Sequence, residues 1–292
     1  MFKIRIIHGY QIVNWLPKGN LLGLAKWRAH ICSVKFKRFI MKVQLLRNAT
    51  QILTVNGKTL LIDPMLAPKG TYEPFRNTAN TLKNPLVDLP IDDAELRQLI
   101  AKTDAVLLTH LHPDHWDTAA QRLIPKTMTI ICQPADTETL EQTGFVNLIP
   151  VADNLLWHNI QIIRTGGQHG TGDIGKLMGT VSGYMISYQQ NRLYIAGDTI
   201  WCDDVQEAID NYNPDMIIVN GGGARFKTGA PIVMSINDVI KIYRHAIDAR
   251  IYVVHLEAVN HATESRALIK SALKIGGLSD RCFVPNDGEL FI

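Results

Sequence analysis

The sequence predicts an α/β fold, in the broad sense that includes α+β, with two β-sheets flanked by helices in a single domain. Three observations predict it. Residues 42–62 read as hairpin-linked strands, residues 145–196 as further strands on short connections, and the last third alternates helix with strand. A chain of 292 residues, 46% hydrophobic and 20% charged, is long enough to bury a core of that size.

The elements follow in order. Residues 42–46 and 51–55 alternate as strands, and Asn56-Gly57 marks a tight turn into 58–62. Asp63-Pro64 ends that strand, and a long loop with Pro68, Gly70 and Pro74 follows. Residues 92–101 read as a helix opened by Asp92 and Asp93, and 104–108 as a buried strand. Helices near 116–123 and 135–143 flank a strand at 128–132. Strands are expected at 145–149, 155–164, 180–188 and 192–196. The last third reads as helix 203–211, strand 215–219, helix 235–247, strand 251–254, helix 263–274 and strand 281–284.

Charge divides the chain. Residues 1–40 carry eight Lys/Arg and no acid, which leaves 22 basic and 27 acidic side chains in residues 41–292. The net charge of +3 therefore combines a +8 segment with a body of −5. A basic nucleic-acid-binding surface on the body is disfavoured, and no nucleic-acid partner is expected. Residues 21–40 place Leu24, Trp27, Ile31 and Val34 at helical spacing among cations, as in a membrane-surface or targeting helix. The simpler reading is a basic N-terminal extension, residues 1–40, outside a domain that begins at Met41 and runs to 292. The four cysteines are widely spaced with no Cys-x-x-Cys pair, and no apolar run is long enough for a transmembrane segment. A cytoplasmic chain is expected.

The strand ending at Leu108 runs into Thr109-His110-Leu111-His112-Pro113-Asp114-His115-Trp116, which puts three His and one Asp within six positions. Imidazole and carboxylate in such density are ligands for a borderline divalent ion. His110 and His112, two apart at a strand end, can point the same way. Asp114 and His115, beyond the Pro113 turn, can reach a second ion. Further ligands should lie at other strand ends, and His169, Asp198 and His255 stand at such positions.

With those residues in place, the chain from about Met41 to Ile292 resembles the metallo-β-lactamase-fold hydrolases. The ordered set His110/His112/Asp114/His115, His169, Asp198 and His255, with Asp63 ahead of it, is similar to that superfamily's motifs. Gly197-Asp198-Thr199 and Pro285-Asn286-Asp287-Gly288-Glu289 look most like the branch that holds ascorbate-6-phosphate lactonase and the N-acylphosphatidylethanolamine phospholipase D. The chain departs from that branch at Arg47-Asn48-Ala49, where Gly-His-Ala is common.

The resemblance implies a four-layer αββα sandwich with a dinuclear site at one edge. On that carry-over His110, His112 and His169 bind one divalent ion, Asp114, His115 and His255 bind the other, and Asp198 bridges them. Asp63 orients the His ligands rather than binding metal. Zinc is the first expectation, and manganese and iron accept the same donors. Two cations bring the pKa of a shared water towards neutrality and so supply a hydroxide nucleophile, with Asp114 and Asp198 as the catalytic carboxylates.

Other residues carry weaker signals. His261 and Glu257 read as substrate contacts or as ordinary residues at a helix start. Lys69, Tyr72 and Arg76 form either a lid for an anionic substrate or a solvated loop. Arg225, after a Gly-rich turn at 221–223, could hold a phosphate, while Trp116 and Trp201 either wall the site or pack in the core. The expected function is metal-dependent hydrolysis of a small lactone, ester or phosphoester. The alternatives are a phosphodiesterase or nuclease with the same site, and a non-catalytic metal-binding sensor. A homo-oligomer is compatible with the sequence.

Overall fold

Asn56 and Gly57 both take positive φ, 50° and 70°, and close a two-residue hairpin between paired Val55 and Lys58. Both central residues of a type I′ turn need that conformation, which is why Asn-Gly occupies it. The computed structural model describes residues 3–7, 10–14 and 41–292, and the chain divides into two units, Met1–Phe39 and Ile40–Ile292. In the first unit β1 (Lys3–Ile7) pairs antiparallel with β2 (Tyr10–Asn14). Residues 21–40, read either as an amphipathic helix or as part of a basic extension, lie outside the described residues.

The second unit contains two sheets. In chain order the first holds β3 (Lys42–Arg47), β4 (Thr50–Val55), β5 (Lys58–Ile62), β6 (Ala105–Leu107), β7 (Thr129–Cys132) and β8 (Asn147–Pro150). The second holds β9 (Asn154–Trp157), β10 (Ile160–Thr165), β11 (Gly183–Tyr188), β12 (Asn191–Ile195), β13 (Met216–Asn220), β14 (Arg250–Val254) and β15 (Cys282–Phe283). Each sheet begins as an antiparallel meander and continues parallel, from β5 in the first and from β12 in the second.

Helices cover the outer faces. Leu96 and Ile100 of α1 (Asp93–Lys102), Ala120 of α2 (Thr118–Leu123) and Leu140 of α3 (Thr137–Gln142) pack with Val106 and Ile130 of the first sheet. After α4 (Gly172–Met178), α5 (Asp203–Tyr212), α6 (Ile236–His245) and α7 (Arg266–Ile275) bury Val205, Val239 and Ile269 against Ile217 and Val253 of the second. Leu107, Ile131 and Ile218 alternate with these positions and are fully buried, so they face the other way, between the sheets. Tyr184 Oη crosses to donate to Leu108 O at 3.0 Å. The result is the metallo-β-lactamase fold, with helix layers outside and two sheets within.

Two elements differ from the sequence expectation. The run 155–164 is not one strand: His158 and Asn159 take positive φ, 48° and 61°, and turn β9 back onto β10. An apolar run on both sides hides such a turn, because His-Asn lacks the glycine that usually marks it. Helix α4 has no buried residue, so no apolar periodicity announces it.

Candidate metal centre

The site forms where strands of both sheets end. Asp63 follows β5, the His-rich segment follows β6, His169 follows β10, Asp198 follows β12 and His255 follows β14. Loops at the carboxyl ends of neighbouring strands converge, so residues far apart in sequence meet there. Two groups of ligand-type atoms result, His110/His112/His169 and Asp114/His115/Asp198/His255, each set lying within 4.8 Å of one another. The second joins the first through Asp198, whose Oδ2 lies 3.1 Å from His115 Nε2 and 3.6 Å from His169 Nε2.

Several outer contacts fix the rings. His169 Nδ1 donates to Ile232 O at 2.7 Å, which leaves Nε2 for the site. His115 Nδ1 donates to Asp63 Oδ2 at 2.9 Å. Thr109 Oγ1 donates to the same oxygen at 2.7 Å and lies 3.0 Å from His110 Nδ1. Asp63 thus orients two imidazoles, one directly and one through Thr109. His255 Nε2 bonds Asp114 Oδ2 at 3.1 Å, and the His255 N–H donates to Asn48 O. Asp63 and His255 take left-handed φ of 43° and 64°, which a non-glycine residue holds only at a cost. Gly197 is required by both conformation and space: its φ is +69°, and a Cβ there would meet Ser182 O at 2.5 Å.

The electrostatics fit a cation. Burial holds His110 well below the usual histidine range, with the charge of His115 adding to it. Burial opposes protonation of His115 too, yet Asp198, Asp63 and Asp114 together raise it well above that range. Burial would raise Asp198, but His115 and His255 bring it well below the ordinary carboxylate value. Ionised carboxylates drawing protons onto buried imidazoles mark a place suited to positive charge. His110 Nε2 is buried without a hydrogen-bond partner, as a metal-ligating nitrogen would be. The residues fit divalent metal.

A cavity of about 270 Å³ opens over the cluster, lined by His112, Asp114, His169, Asp198, His261 and five apolar residues, Phe75, Pro113, Met178, Phe226 and Ile232. His261 is brought in: its ring meets Phe75 edge-on at 4.8 Å, and burial pushes its pKa down to about 4. Three sequence candidates lie outside the cavity lining. Glu257 is spent on Arg266, accepting from its N–H at 2.8 Å and from Nη1 at 3.0 Å. Arg225 lies outside the lining, with Nε on Gly223 O at 3.4 Å, and Arg76 is exposed and also outside it. Tyr72 bonds Thr118 rather than the site, and Trp116 packs on Phe145 in the core.

Sequence reasoning missed Asn220, Asn48 and the apolar wall. Asn220 Nδ2 donates to Asp198 Oδ1 at 2.7 Å, and Asn48 Nδ2 donates to Asp114 O at 3.0 Å. The position of Asn220 at the end of a predicted strand was its only signal. Phe226 and Met178 carried none.

Comparison with known proteins bears on the family and the fold. Residues 58–256 match the family described as the β-lactamase superfamily domain. UPF0173 protein YddR of Bacillus subtilis is 38% identical over 255 residues, 86% of this chain and 99% of that protein. The crystal structure of a possible metal-dependent hydrolase from Veillonella parvula is 34% identical, with a TM-score of 0.82 over 87% of this chain and 99% of that one. An isothiocyanate hydrolase from Delia radicum gut bacteria is also 34% identical, with a TM-score of 0.82 over 86% of this chain and 99% of that one. Fold, ligand-type clusters and relatives together make the chain a member of the β-lactamase superfamily domain family and, within it, of the UPF0173 metal-dependent hydrolases.

Proposed function

We propose that the chain hydrolyses a small, uncharged carbon electrophile bearing an apolar group, with an isothiocyanate as first candidate and a lactone or ester beside it. One observation carries the reading: the cavity over the ligand cluster is walled by Phe75, Met178, Phe226 and Ile232, with no Lys or Arg among the described residues that line it. A phosphoester would find no Lys or Arg there among the described residues, which disfavours the phosphodiesterase and nuclease alternatives. The 34% identity to an isothiocyanate hydrolase supports the first candidate.

His110, His112 and His169 would hold one divalent ion, and Asp114, His115 and His255 a second, with Asp198 shared. Zinc suits this set best, and manganese and iron also accept it. Bound there, the ions supply Lewis acidity, lowering the pKa of water and polarising the electrophile. The chain's own residues do the rest. Asp63, Thr109 and Ile232 O hold the ligand rings in register, and Asn220 and Asn48 hold Asp198 and the Asp114 backbone. The apolar wall excludes water from the substrate's tail. Neutral His261 offers an N–H or a lone pair to the leaving atom. For an isothiocyanate, the water oxygen bonds to the central carbon and the carbon–nitrogen bond breaks. Both water protons end on nitrogen, and an amine and carbonyl sulfide leave.

The test is a panel of isothiocyanates, lactones, esters, thioesters, phosphodiesters and β-lactams, run on zinc-, manganese- and iron-loaded protein. Benzyl isothiocyanate should exceed a phosphodiester by about a hundredfold or more in kcat/KM, a gap of about 2.7 kcal/mol in transition-state binding. Preference for the phosphodiester would overturn the reading, and no metal-dependent turnover would favour the sensor alternative.

A further inference from the structure

We infer that Asn260 is the positioning residue that sets the specificity of the cavity, by clamping the 75–84 loop so that Phe75 forms its apolar wall. This inference rests on the functional reading above for its substrate, an apolar-tailed molecule.

The 75–84 loop contains no regular helix or strand, apart from a bridge between Tyr72 and Asn84, so its backbone has little ladder to satisfy it. One fully buried side chain takes much of that place, beside Thr78 Oγ1, which lies 2.9 Å from both Phe75 O and Asn80 O, and Lys227 N, which donates to Asn77 O. Asn260 Oδ1 accepts from Phe75 N at 3.0 Å and from Asn84 Nδ2 at 2.9 Å. Its Nδ2 lies 3.1 Å from Phe75 O, 2.6 Å from Thr78 Oγ1 and 3.0 Å from Asn80 O. The backbone is held as well: Asn260 N donates to Asn84 Oδ1 at 2.9 Å, and Asn80 Nδ2 donates to Asn260 O at 2.9 Å. Both main-chain groups of Phe75 therefore bond one carboxamide, and the next residue, His261, meets the Phe75 ring edge-on.

This arrangement joins two walls of the cavity at one point. Phe75 stands on a loop whose neighbours Arg76 and Asn77 are exposed, and few apolar contacts hold such a segment in place. Release of the Asn260 carboxamide would leave the ligand cluster intact, because none of its bonds reaches a ligand residue. The loss should therefore fall on binding of an apolar tail and spare the centre itself.

The experiment uses the full, metal-loaded chain with two thiol probes, phenylmethanethiol and ethanethiol, whose sulfur binds the metal centre and which differ in their tails. Asn260→Ala should speed amide exchange across 75–84 and leave metal content unchanged. It should weaken phenylmethanethiol by about tenfold and ethanethiol by less than about twofold. Phe75→Ala should reproduce the selective loss, and the double variant should add nothing further. Asn84→Ala, whose lost side-chain bonds both go to Asn260, should move the same way by about threefold, and it carries the test if Asn260→Ala does not fold. Equal weakening of both thiols, loss of metal, unchanged exchange or additive effects with Phe75→Ala would each overturn the clamp. The probes require no turnover, so failure of the substrate panel counts against the functional reading alone.

Discussion

Asp63 Oδ2 accepts a 2.9 Å hydrogen bond from His115 Nδ1, and the same oxygen takes the hydroxyl proton of Thr109, which lies beside His110 Nδ1. A single carboxylate thereby sets the direction of an imidazole in each ligand group. Its Oδ1 also accepts from the Thr109 N–H at 2.8 Å, so Asp63 orients the strand end that carries the His-rich segment.

Asp63→Asn keeps the size and removes the charge and one acceptor. Metal affinity should fall about 10- to 100-fold, the usual scale for partners that orient ligand rings. A chelator competition titration measures it. An unchanged affinity would show that the rings are held without Asp63.

Asp198 touches both ligand groups and is held at Oδ1 by Asn220. Elemental analysis should find close to two ions per wild-type chain, and Asp198→Ala should lose at least one. The same metal content in that variant would remove the bridging assignment. Asn220→Ala should weaken retention in the same direction by a smaller factor, since it frees the carboxylate without deleting it.

Asp136 illustrates a cost elsewhere in the fold. Burial raises its pKa from 3.8 to about 6, and Oδ2 is buried with no hydrogen-bond partner. The folded state holds this proton more tightly than the unfolded state does. Its penalty is therefore absent below about pH 4, grows as pH rises and is complete above about pH 6. Asp136→Asn should raise Tm at pH 7 by several degrees and lose that advantage at pH 4. A difference independent of pH would rule out titration of this carboxyl as the cause.

The chain from Met41 to Ile292 should fold and bind metal without residues 1–40. Both ligand-type clusters found among the described residues lie in the second unit, and strand β3 starts at Lys42. Thermal unfolding and metal analysis of that shortened chain check the expectation. A loss of either would make the basic segment part of the working structure.

The candidate ligand residues were legible because a metal site concentrates His and carboxylate side chains at a density that an ordinary loop rarely shows. His110, His112, Asp114 and His115 announce themselves within six positions, and His169, Asp198 and His255 follow expected strands. The hairpin at Asn56-Gly57 was legible because few residues adopt positive φ cheaply. Asn260 and Asn220 were not legible, because an asparagine in a loop has the same local signature whether it clamps a neighbour or faces water. The choice between Arg225, Arg76 and Glu257 as substrate contacts was also hidden, since each can satisfy its charge or donors in more than one direction.

By itself, then, the sequence determined the two-sheet fold class, most of its strands and the chemical character of the centre. Those depend on periodicity and residue type, which are local properties. Only the tertiary structure decided that the cavity has an apolar wall, that Glu257 bonds Arg266, and that Phe75 and His261 meet through Asn260. These contacts join residues up to 186 positions apart. Their partners are chosen by how the loops pack at the strand ends, and no short-range pattern encodes that choice.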